Sequence, residues 1–146
     1  MKLRDYRPED FRTICEIDRL CFPPGIAYSS ADIACSLAEP GTFAVMGEEG
    51  ARVAGFVLAR RESRNRGHII TIDVLPEFRQ KRLGTALMAE AHHRLEESGV
   101  KRVLLETSVE NAPAIAFYKK MGYAMLRRLP RYYQNEIDAY LMGKDL

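Results

Sequence analysis

The sequence lacks the features that mark membrane, secreted and nucleic-acid-binding proteins. Its longest apolar runs, such as Phe56–Ala59 and Ile69–Ile72, are far shorter than the ~20 residues that a membrane-spanning helix needs. The opening Met1–Asp5 has no apolar core, so we expect no secretory signal peptide. The net charge of +2 is too small to favour nucleic acid as a partner. We therefore expect neither a membrane nor a nucleic acid among its partners.

Cysteine is also scarce. The three cysteines, Cys15, Cys21 and Cys35, cannot all pair with one another, and no Cys-x-x-Cys motif occurs. This pattern favours a reduced, cytoplasmic location. The histidines show no metal-ligand spacing with cysteines or acidic residues, so we expect no metal. We expect His92 and His93 to lie on the exposed side of a helix.

What is present is typical of one folded domain spanning residues 1–146. The chain has 146 residues, 47% hydrophobic and 29% charged, which is the balance of a globular domain. Strand-like and helix-like segments alternate, which favours an α/β or α+β fold. The predicted strands are Leu3–Arg7, Thr42–Gly47, Arg52–Arg61, His68–Leu75, a run opening at Val103, Tyr123–Leu129 and Ile137–Met142. One predicted helix contains Phe11 to Cys21 and another begins at Leu83 and stops at Gly99. Two more are capped by Ser29 or Ser30, running through Leu37, and by Asn111, running to about Met121. The turn Glu48–Gly50 is expected to join two antiparallel strands.

A basic loop, Pro76–Arg82, separates a buried strand from the helix that begins at Leu83. Free N–H groups and the helix dipole make such a junction an anion site, and Arg79, Lys81 and Arg82 add full positive charges. Gly84 would let a ligand approach the backbone closely. A diphosphate suits this loop, although an exposed basic loop before an ordinary helix is an equal alternative. No P-loop or Gly-x-Gly-x-x-Gly motif is present.

The stretch Val74–Ala86 resembles motif A of the GNAT acetyltransferases, whose loop reads Arg/Gln-x-x-Gly-x-Gly/Ala. Arg79 fits the first position and Gly84 the last, whereas Arg82 stands where the middle glycine is expected. The Arg82 side chain would leave less space for a pyrophosphate beside the loop. Alternatively, its guanidinium group would bind the phosphates. A shifted register, Lys81-x-x-Gly84-x-Ala86, also has the motif spacing, but it places lysine where the motif has arginine or glutamine.

A second stretch, Leu105–Tyr123, is similar to motif B of the same family, and in particular to N-terminal acetyltransferases of the RimI and Ard1 kind. Those enzymes carry a glutamate at a strand end, an asparagine, and a tyrosine seven residues after the asparagine. Glu106, Asn111 and Tyr118 match all three. The pair Tyr132-Tyr133, followed by Asp138–Met142, also resembles that subgroup.

The resemblance implies the GNAT fold, in which a mixed sheet of about seven strands contains a splayed parallel pair and about four helices surround it. It implies acetyl-CoA as cosubstrate. The residues that it assigns to acetyl-CoA are Ile72, Asp73, Val74, Arg79, Gln80, Lys81, Arg82, Leu83, Gly84, Thr85, Asn111 and Tyr118. The strand Ile72–Val74 would pair its backbone with the pantetheine amides. Asp73 could alternatively contact the acceptor.

The same resemblance implies two catalytic residues. Glu106 would act as general base, because the attacking amine must lose a proton, and Tyr118 would return a proton to the leaving sulfur. The alternatives are a Glu106–Lys101 pair and a core tyrosine with a satisfied hydroxyl. Asn111 caps its helix and would also contact pantetheine.

Three aromatic residues are the candidates for acceptor binding. By resemblance, Tyr132 and Tyr133 would form one wall of a peptide groove, and Phe22 would line the opposite wall. The alternatives are an aromatic plug in the hairpin and a core position for Phe22.

We therefore expect a GNAT enzyme of the ribosomal-protein alanine acetyltransferase type, which moves acetyl from acetyl-CoA directly to a protein N-terminal α-amine. The alternatives are a small-molecule amine acetyltransferase and a non-enzymatic CoA-binding module. The acceptor would be a protein or peptide N-terminus, for which a ribosomal protein is one candidate, and the enzyme a monomer or weak dimer. A basic cluster, expected at a hairpin tip, is either solvated or attracts such a partner; it comprises Arg60, Arg61, Arg64 and Arg66.

Overall fold

The computed structural model describes all residues from Met1 to Leu146, and one seven-stranded sheet runs through it. The strands are β1 Lys2–Asp5, β2 Thr42–Glu49, β3 Arg52–Arg61, β4 Arg66–Val74, β5 Arg102–Ser108, β6 Ala124–Leu129 and β7 Ala139–Asp145. The helices are α1 Phe11–Cys21, α2 Ser30–Ala38, α3 Leu83–Glu97 and α4 Ala112–Lys120. None of these helices is long and apolar enough to cross a membrane.

The strand order is β1-β2-β3-β4-β5-β7-β6, and every neighbouring pair is antiparallel except β4 and β5. The parallel pair is joined through α3, as the predicted strand–helix–strand unit requires. It pairs at only three positions, the last being His68 with Leu104, and then opens. The mixed sheet, the splayed pair and the four helices confirm the predicted fold class.

Two apolar cores hold the helices against the sheet. The periodic residues of α3, Leu83, Leu87, Ala91 and Leu95, are all at most 1% exposed and pack on one face. On the other face, Ile14 of α1 and Ile33 of α2 pack against central strands. The helical spacing predicted the α3 stripe correctly, because one apolar stripe is enough to dock a helix on a sheet.

Several predicted element bounds are wrong, and long-range pairing is the reason. The last strand is not Ile137–Met142, because β7 pairs with β5 as far as Asp145, well beyond its apolar residues. Its start is delayed because Asp138 serves the preceding loop, where it accepts hydrogen bonds from the Arg128 side chain and the Arg131 backbone. Strand pairing thus extends β7 at its end, and the hydrogen bonds of one aspartate shorten it at its start, against the local β-propensity.

Smaller shifts occur at the other strands. Strand β1 ends at Asp5 rather than Arg7, because Asp10 accepts a hydrogen bond from the Arg7 N–H and turns the chain toward α1. Strand β4 begins two residues earlier than predicted, at Arg66, and ends at Val74, while β6 begins at Ala124. Glu48 and Glu49 belong to β2 and not to the turn, which Gly50 makes with φ +62°.

The basic cluster is not gathered at a hairpin tip. Arg60 and Arg61 lie in β3 and Arg66 in β4, so only Arg64 occupies the tip. Arg60 donates to Thr42 Oγ1 at 2.8 Å, and Arg61 donates to two loop carbonyls. Arg66 lies 3.7 Å from Glu62, so three of the four guanidinium groups are already engaged within the chain.

The expectation that His92 is exposed is wrong. His92 is only 8% exposed, and its Nε2 lies 2.7 Å from the Tyr123 hydroxyl. The hydrogen bond satisfies the polar ring, so the core side of α3 accommodates it. Burial lowers the pKa of His92 to about 4, with a smaller contribution from Lys144. His93, on the opposite side of the helix, is exposed as expected.

Because burial keeps His92 neutral, folding stability should fall as the pH drops from about 6.5 to about 4. In that range His92 binds a proton in the unfolded chain but not in the folded chain. The lowered pKa of His92 corresponds to a loss of about 3 kcal/mol in the free energy of unfolding. Chemical denaturation of the wild type and of His92→Gln at several pH values measures this loss. The variant should lose less stability on acidification, whereas His93→Gln should match the wild type. Equal losses in wild type and His92→Gln would contradict the buried, neutral state.

Candidate active site

A cavity of about 350 Å³ lies where β4 and β5 part. Its walls come from the α1–α2 loop, the two splayed strands, α4 and the β6–β7 loop. The lining residues are Cys21, Phe22, Pro23, Ile26, Tyr28, Ile69, Ile70, Thr71, Leu105, Glu106, Thr107, Ser108, Glu110, Asn111, Tyr118, Tyr132, Tyr133 and Ile137. Both predicted catalytic residues and all three predicted acceptor contacts therefore face one space.

Glu106 points into this cavity from β5, and its partner is a histidine. Glu106 Oε1 lies 2.7 Å from His68 Nε2, and both side chains are mostly buried, with 16% and 19% exposure. His68 Nδ1 in turn lies 3.6 Å from Glu62. The alternative pairing of Glu106 with Lys101 does not occur. His68 was missed from the sequence, since nothing in its spacing links it to a residue 38 positions away.

Tyr118 reaches the cavity from the buried side of α4. Its ring packs edge-on against the rings of Phe117 and Tyr123, with centroids 5.6 and 6.0 Å apart. Burial raises the pKa of Tyr118, and the nearby Asp73 raises it further. The phenol is thus held in its protonated form, which is the form that can donate. Asn111 caps α4 as predicted, by accepting a hydrogen bond from the Ala114 N–H.

Two loops close the acceptor side of the cavity, and they touch each other. Gln134 N–H donates to the Gly25 carbonyl at 3.1 Å. Gly25 has φ +89°, and an added Cβ would come within 2.7 Å of the Asn135 Cβ, so this contact requires glycine. The α1–α2 loop and the β6–β7 loop, which carry the predicted walls, therefore form one continuous rim.

Aromatic hydroxyl groups surround this rim. Tyr132 and Tyr133 stack edge-on at 5.0 Å between centroids. Burial raises the pKa of Tyr132 to about 12, and the Glu106 carboxylate contributes to the shift. Tyr28, which the sequence analysis did not single out, also lines the cavity, and its hydroxyl donates to the Ile70 carbonyl at 3.4 Å. Ile70 is a bulged residue of β4, since Leu58 and Ala59 pair with Thr71 and Ile69.

The predicted anion loop has a backbone shaped for a ligand. Gln80 and Arg82 adopt positive φ values, 63° and 67°, in the left-handed region where glycine is usual. The four backbone N–H groups from Arg82 to Thr85 donate to no group of the protein, and the side chains of Arg79 to Arg82 are exposed. The left-handed turn at Arg82 explains why the family motif has glycine there. An added Cβ at Gly84 would meet only ordinary contacts of 3.5 Å or more, so internal packing does not require that glycine.

One predicted cofactor contact, at Val74, and the alternative role of Asp73 as an acceptor contact need revision. The Val74 carbonyl is already engaged, since it accepts hydrogen bonds from Arg79 Nε at 2.8 Å and from the Cys21 thiol at 3.5 Å. The Asp73 side chain is 1% exposed and bonded to Thr71 Oγ1 at 2.6 Å. Its carboxyl group therefore cannot contact an acceptor, which rejects that alternative, and only the backbone of Asp73 remains available to a ligand.

Comparison with known proteins identifies the family. Residues 11–123 match the acetyltransferase (GNAT) family. The chain belongs to this family. It is 31% identical over 157 residues to an N-alpha-acetyltransferase of Sulfurisphaera tokodaii, and the match covers 99% of this chain and 93% of the relative. The family resemblance inferred from the two motifs is thereby confirmed, and the protein is an acyltransferase.

Solved structures share the whole fold of this GNAT chain. Ard1 from Thermoplasma volcanium superposes with a TM-score of 0.89 at 27% identity, covering 99% of this chain and 97% of that one. A ribosomal-protein alanine N-acetyltransferase of Escherichia coli superposes with a TM-score of 0.87 at 21% identity, covering 99% and 92%. GNAT enzymes use acetyl-CoA. No group of three or more histidine, cysteine or acidic side chains is arranged to hold a metal ion.

Replacing Arg82 by glycine separates its backbone role from its charge. Arg82→Gly should raise the free energy of unfolding by about 1 kcal/mol, because a side chain in the left-handed region is strained. The same change should weaken CoA binding severalfold, because it removes a guanidinium beside the free N–H groups. Thermal unfolding and calorimetric titration with CoA measure the two effects. Gln80→Gly relieves the same kind of strain without removing charge, so it should lose less affinity. Undiminished CoA affinity in Arg82→Gly would rule out a phosphate contact.

Proposed function

We propose that this enzyme transfers the acetyl group of acetyl-CoA to the α-amine of a protein N-terminus. The observation that carries the proposal is the single cavity that Glu106 and Tyr118 line together with Tyr28, Tyr132 and Tyr133, in the space between the splayed strands. The near-full-length similarity to N-alpha-acetyltransferases supports the same acceptor class.

The residues present fit acetyl-CoA. The free N–H groups from Arg82 to Thr85 and the exposed basic side chains of the loop suit the diphosphate. Beyond His68 the inner edges of β4 and β5 have no strand partner, so they can bond the amides of a pantetheine arm. When bound, acetyl-CoA supplies the acetyl group as a thioester, which an amine can attack.

Glu106 and Tyr118 would each carry out one of the two proton transfers in the reaction. The Glu106 carboxylate takes the proton that the acceptor amine must lose before it attacks. His68 holds that carboxylate in one orientation from the opposite strand, at 2.7 Å. The Tyr118 hydroxyl, kept protonated by burial, donates to the leaving sulfur. Proton removal and proton return are thus assigned to two different side chains of one cavity, and no side chain has to do both.

Transfer would be direct, without an acetylated enzyme. The thiol that lines the cavity is Cys21, and it is the natural candidate for a covalent carrier. Burial raises its pKa to about 11, and Asp73 adds to the shift. Since the thiolate is the reactive form, Cys21 is a poor nucleophile at neutral pH. The amine is therefore the group that attacks the thioester.

The acceptor would be an extended peptide that enters between the two touching loops. Tyrosine hydroxyls on both sides of the entrance can bond a peptide backbone, while Phe22 and Ile26 offer apolar contact to the first side chain. A ribosomal protein is one candidate acceptor, by similarity of fold to the E. coli enzyme. A cytoplasmic monomer or weak dimer would suit that role.

A substrate panel with Glu106→Gln tests the proposal. Wild-type enzyme should acetylate peptides with a free α-amine faster than the same peptides blocked at the α-amine, or polyamines and aminoglycosides. Glu106→Gln should lower kcat by about 100-fold or more, the usual contribution of a general base. Glu110→Gln, on the same cavity but exposed, should retain most of the rate. Turnover of small amines alone would reject the acceptor class, and an unchanged kcat in Glu106→Gln across the pH range would reject the base.

Tyr118→Phe tests the proton donor. Loss of the hydroxyl should lower kcat by about tenfold to 100-fold, because the leaving thiolate then has no acid. The affinity for CoA, measured by calorimetry, should stay within about twofold, since the ring and its packing remain. Tyr123→Phe removes a neighbouring buried hydroxyl outside the cavity and should reduce stability more than kcat. A large loss of CoA affinity in Tyr118→Phe would instead make Tyr118 a packing residue.

A further inference from the structure

Two buried carboxyl groups, Asp18 on α1 and Asp73 on β4, have no role in the chemistry described above. Asp18 is 0% exposed and Asp73 is 1% exposed. One oxygen of each is bonded, since Asp18 Oδ2 accepts from the Tyr28 N–H at 2.7 Å and Asp73 Oδ1 accepts from Thr71 Oγ1 at 2.6 Å. The other two oxygens, Asp18 Oδ1 and Asp73 Oδ2, are the buried side-chain oxygens or nitrogens that lack a hydrogen-bond partner.

The two unpartnered oxygens can form a hydrogen bond with each other if one proton lies between them. Asp18 lies one helical turn before Cys21, whose thiol reaches the Val74 carbonyl at 3.5 Å, so the packing of α1 on β4 brings the two buried carboxyl groups side by side. Two ionised carboxylates at that separation, both removed from water, would repel strongly. A carboxylic acid donating to a carboxylate satisfies both oxygens and leaves a single buried negative charge.

The charges around the pair agree with this arrangement. Burial and the neighbouring Asp18 raise the pKa of Asp73 well above its usual value, while Thr71 and the Arg79 guanidinium oppose the shift. The other titratable groups that face the pair are the Cys21 thiol and the hydroxyls of Tyr28 and Tyr118, and burial raises the pKa of each. These three groups, on α1, the α1–α2 loop and α4, are therefore neutral at neutral pH, and Arg79 is the one cation among the groups that act on Asp73.

The pair joins two parts of the site that the chain supplies separately. Asp73 belongs to the strand that would bind pantetheine, whereas Asp18 binds the backbone of Tyr28, in the loop that forms one acceptor wall. We propose that Asp18 and Asp73 share one proton and that this pair positions the α1–α2 loop against β4. The pair should also affect the affinity for the peptide acceptor, and only this kinetic consequence rests on the proposed function.

Loss of the shared proton should weaken the packing of the α1–α2 loop against β4. Once Asp73 is ionised, two buried negative charges face each other, and the Asp18 carboxylate can separate from Asp73 only by moving with α1 and the Tyr28 amide. Folded protein holds this proton and unfolded protein releases it near the ordinary pKa of aspartate, so the stabilising contribution is present at low pH and is lost as the pH rises.

Asp18→Asn provides the test, because it keeps the hydrogen bonds and removes the titration. The carbonyl oxygen of the introduced side-chain amide can accept from Tyr28 N–H, and the amide nitrogen can donate to Asp73, so the single buried charge stays but no shared proton can be lost. Amide hydrogen exchange at Tyr28, measured by NMR on the full-length protein and corrected for intrinsic rates, should show wild-type protection falling by roughly fivefold between about pH 6 and pH 9.5, the scale of one lost hydrogen bond. Asp18→Asn should keep its protection over that range. Equal pH dependence in the two proteins would overturn the shared proton.

Kinetics supply the second readout. The ratio of wild-type to Asp18→Asn KM for a peptide acceptor should rise with pH, and titration of the acceptor amine cancels in that ratio. Asp10→Asn, which neutralises a different buried carboxylate that Arg4 pairs, should follow the wild-type pH dependence. A peptide KM ratio that stays constant while Tyr28 exchange responds would overturn the link to acceptor binding. If no amine is acetylated at all, the proposed function fails, but the Tyr28 exchange still decides whether the proton is shared.

Discussion

The parting of β4 and β5 is the constraint on which the rest of the molecule depends. Two parallel strands that pair at three positions and then separate leave backbone N–H and C=O groups unpaired in the middle of a sheet. Such groups are costly unless a partner replaces the missing strand. The separation also opens a cavity of about 350 Å³ between residues that would otherwise be adjacent in a closed sheet. The same gap therefore supplies the free strand edges and the space that the proposed reaction needs.

Around that gap the protein keeps several polar side chains out of water, and each is held by a partner from a different element. Glu106 on β5 is bound by His68 on β4. Asp73 on β4 faces Asp18 on α1. These contacts cross the gap or anchor its rim, so they fix the separation of the walls as well as the orientation of the reacting groups. Site geometry and the protonation of buried groups are consequently coupled in this enzyme.

Local patterns predicted much of the fold. The apolar stripe of α3, the Asn111 cap and the strand–helix–strand order depend on residues close together in sequence, and all were correct. Of the two serines predicted as alternative caps of α2, Ser29 is the cap. Element ends were less predictable, because β7 continues to Asp145 only where β5 lies beside it. His92 was misplaced because helical spacing left it on the edge of the apolar stripe, and a hydroxyl from Tyr123, 31 positions away, determined that it is buried.

The sequence by itself determined the family, the basic loop before α3 and the two motifs that carry Glu106, Asn111 and Tyr118, because these features depend on residue type at fixed spacing. Only the tertiary structure decided which side chains meet. The His68–Glu106 contact, the Asp18–Asp73 pair and the joining of Gly25 to Gln134 each link residues far apart in the chain. Such contacts depend on where β4 and β5 diverge and on how loops pack above the opening, and no local periodicity records that geometry.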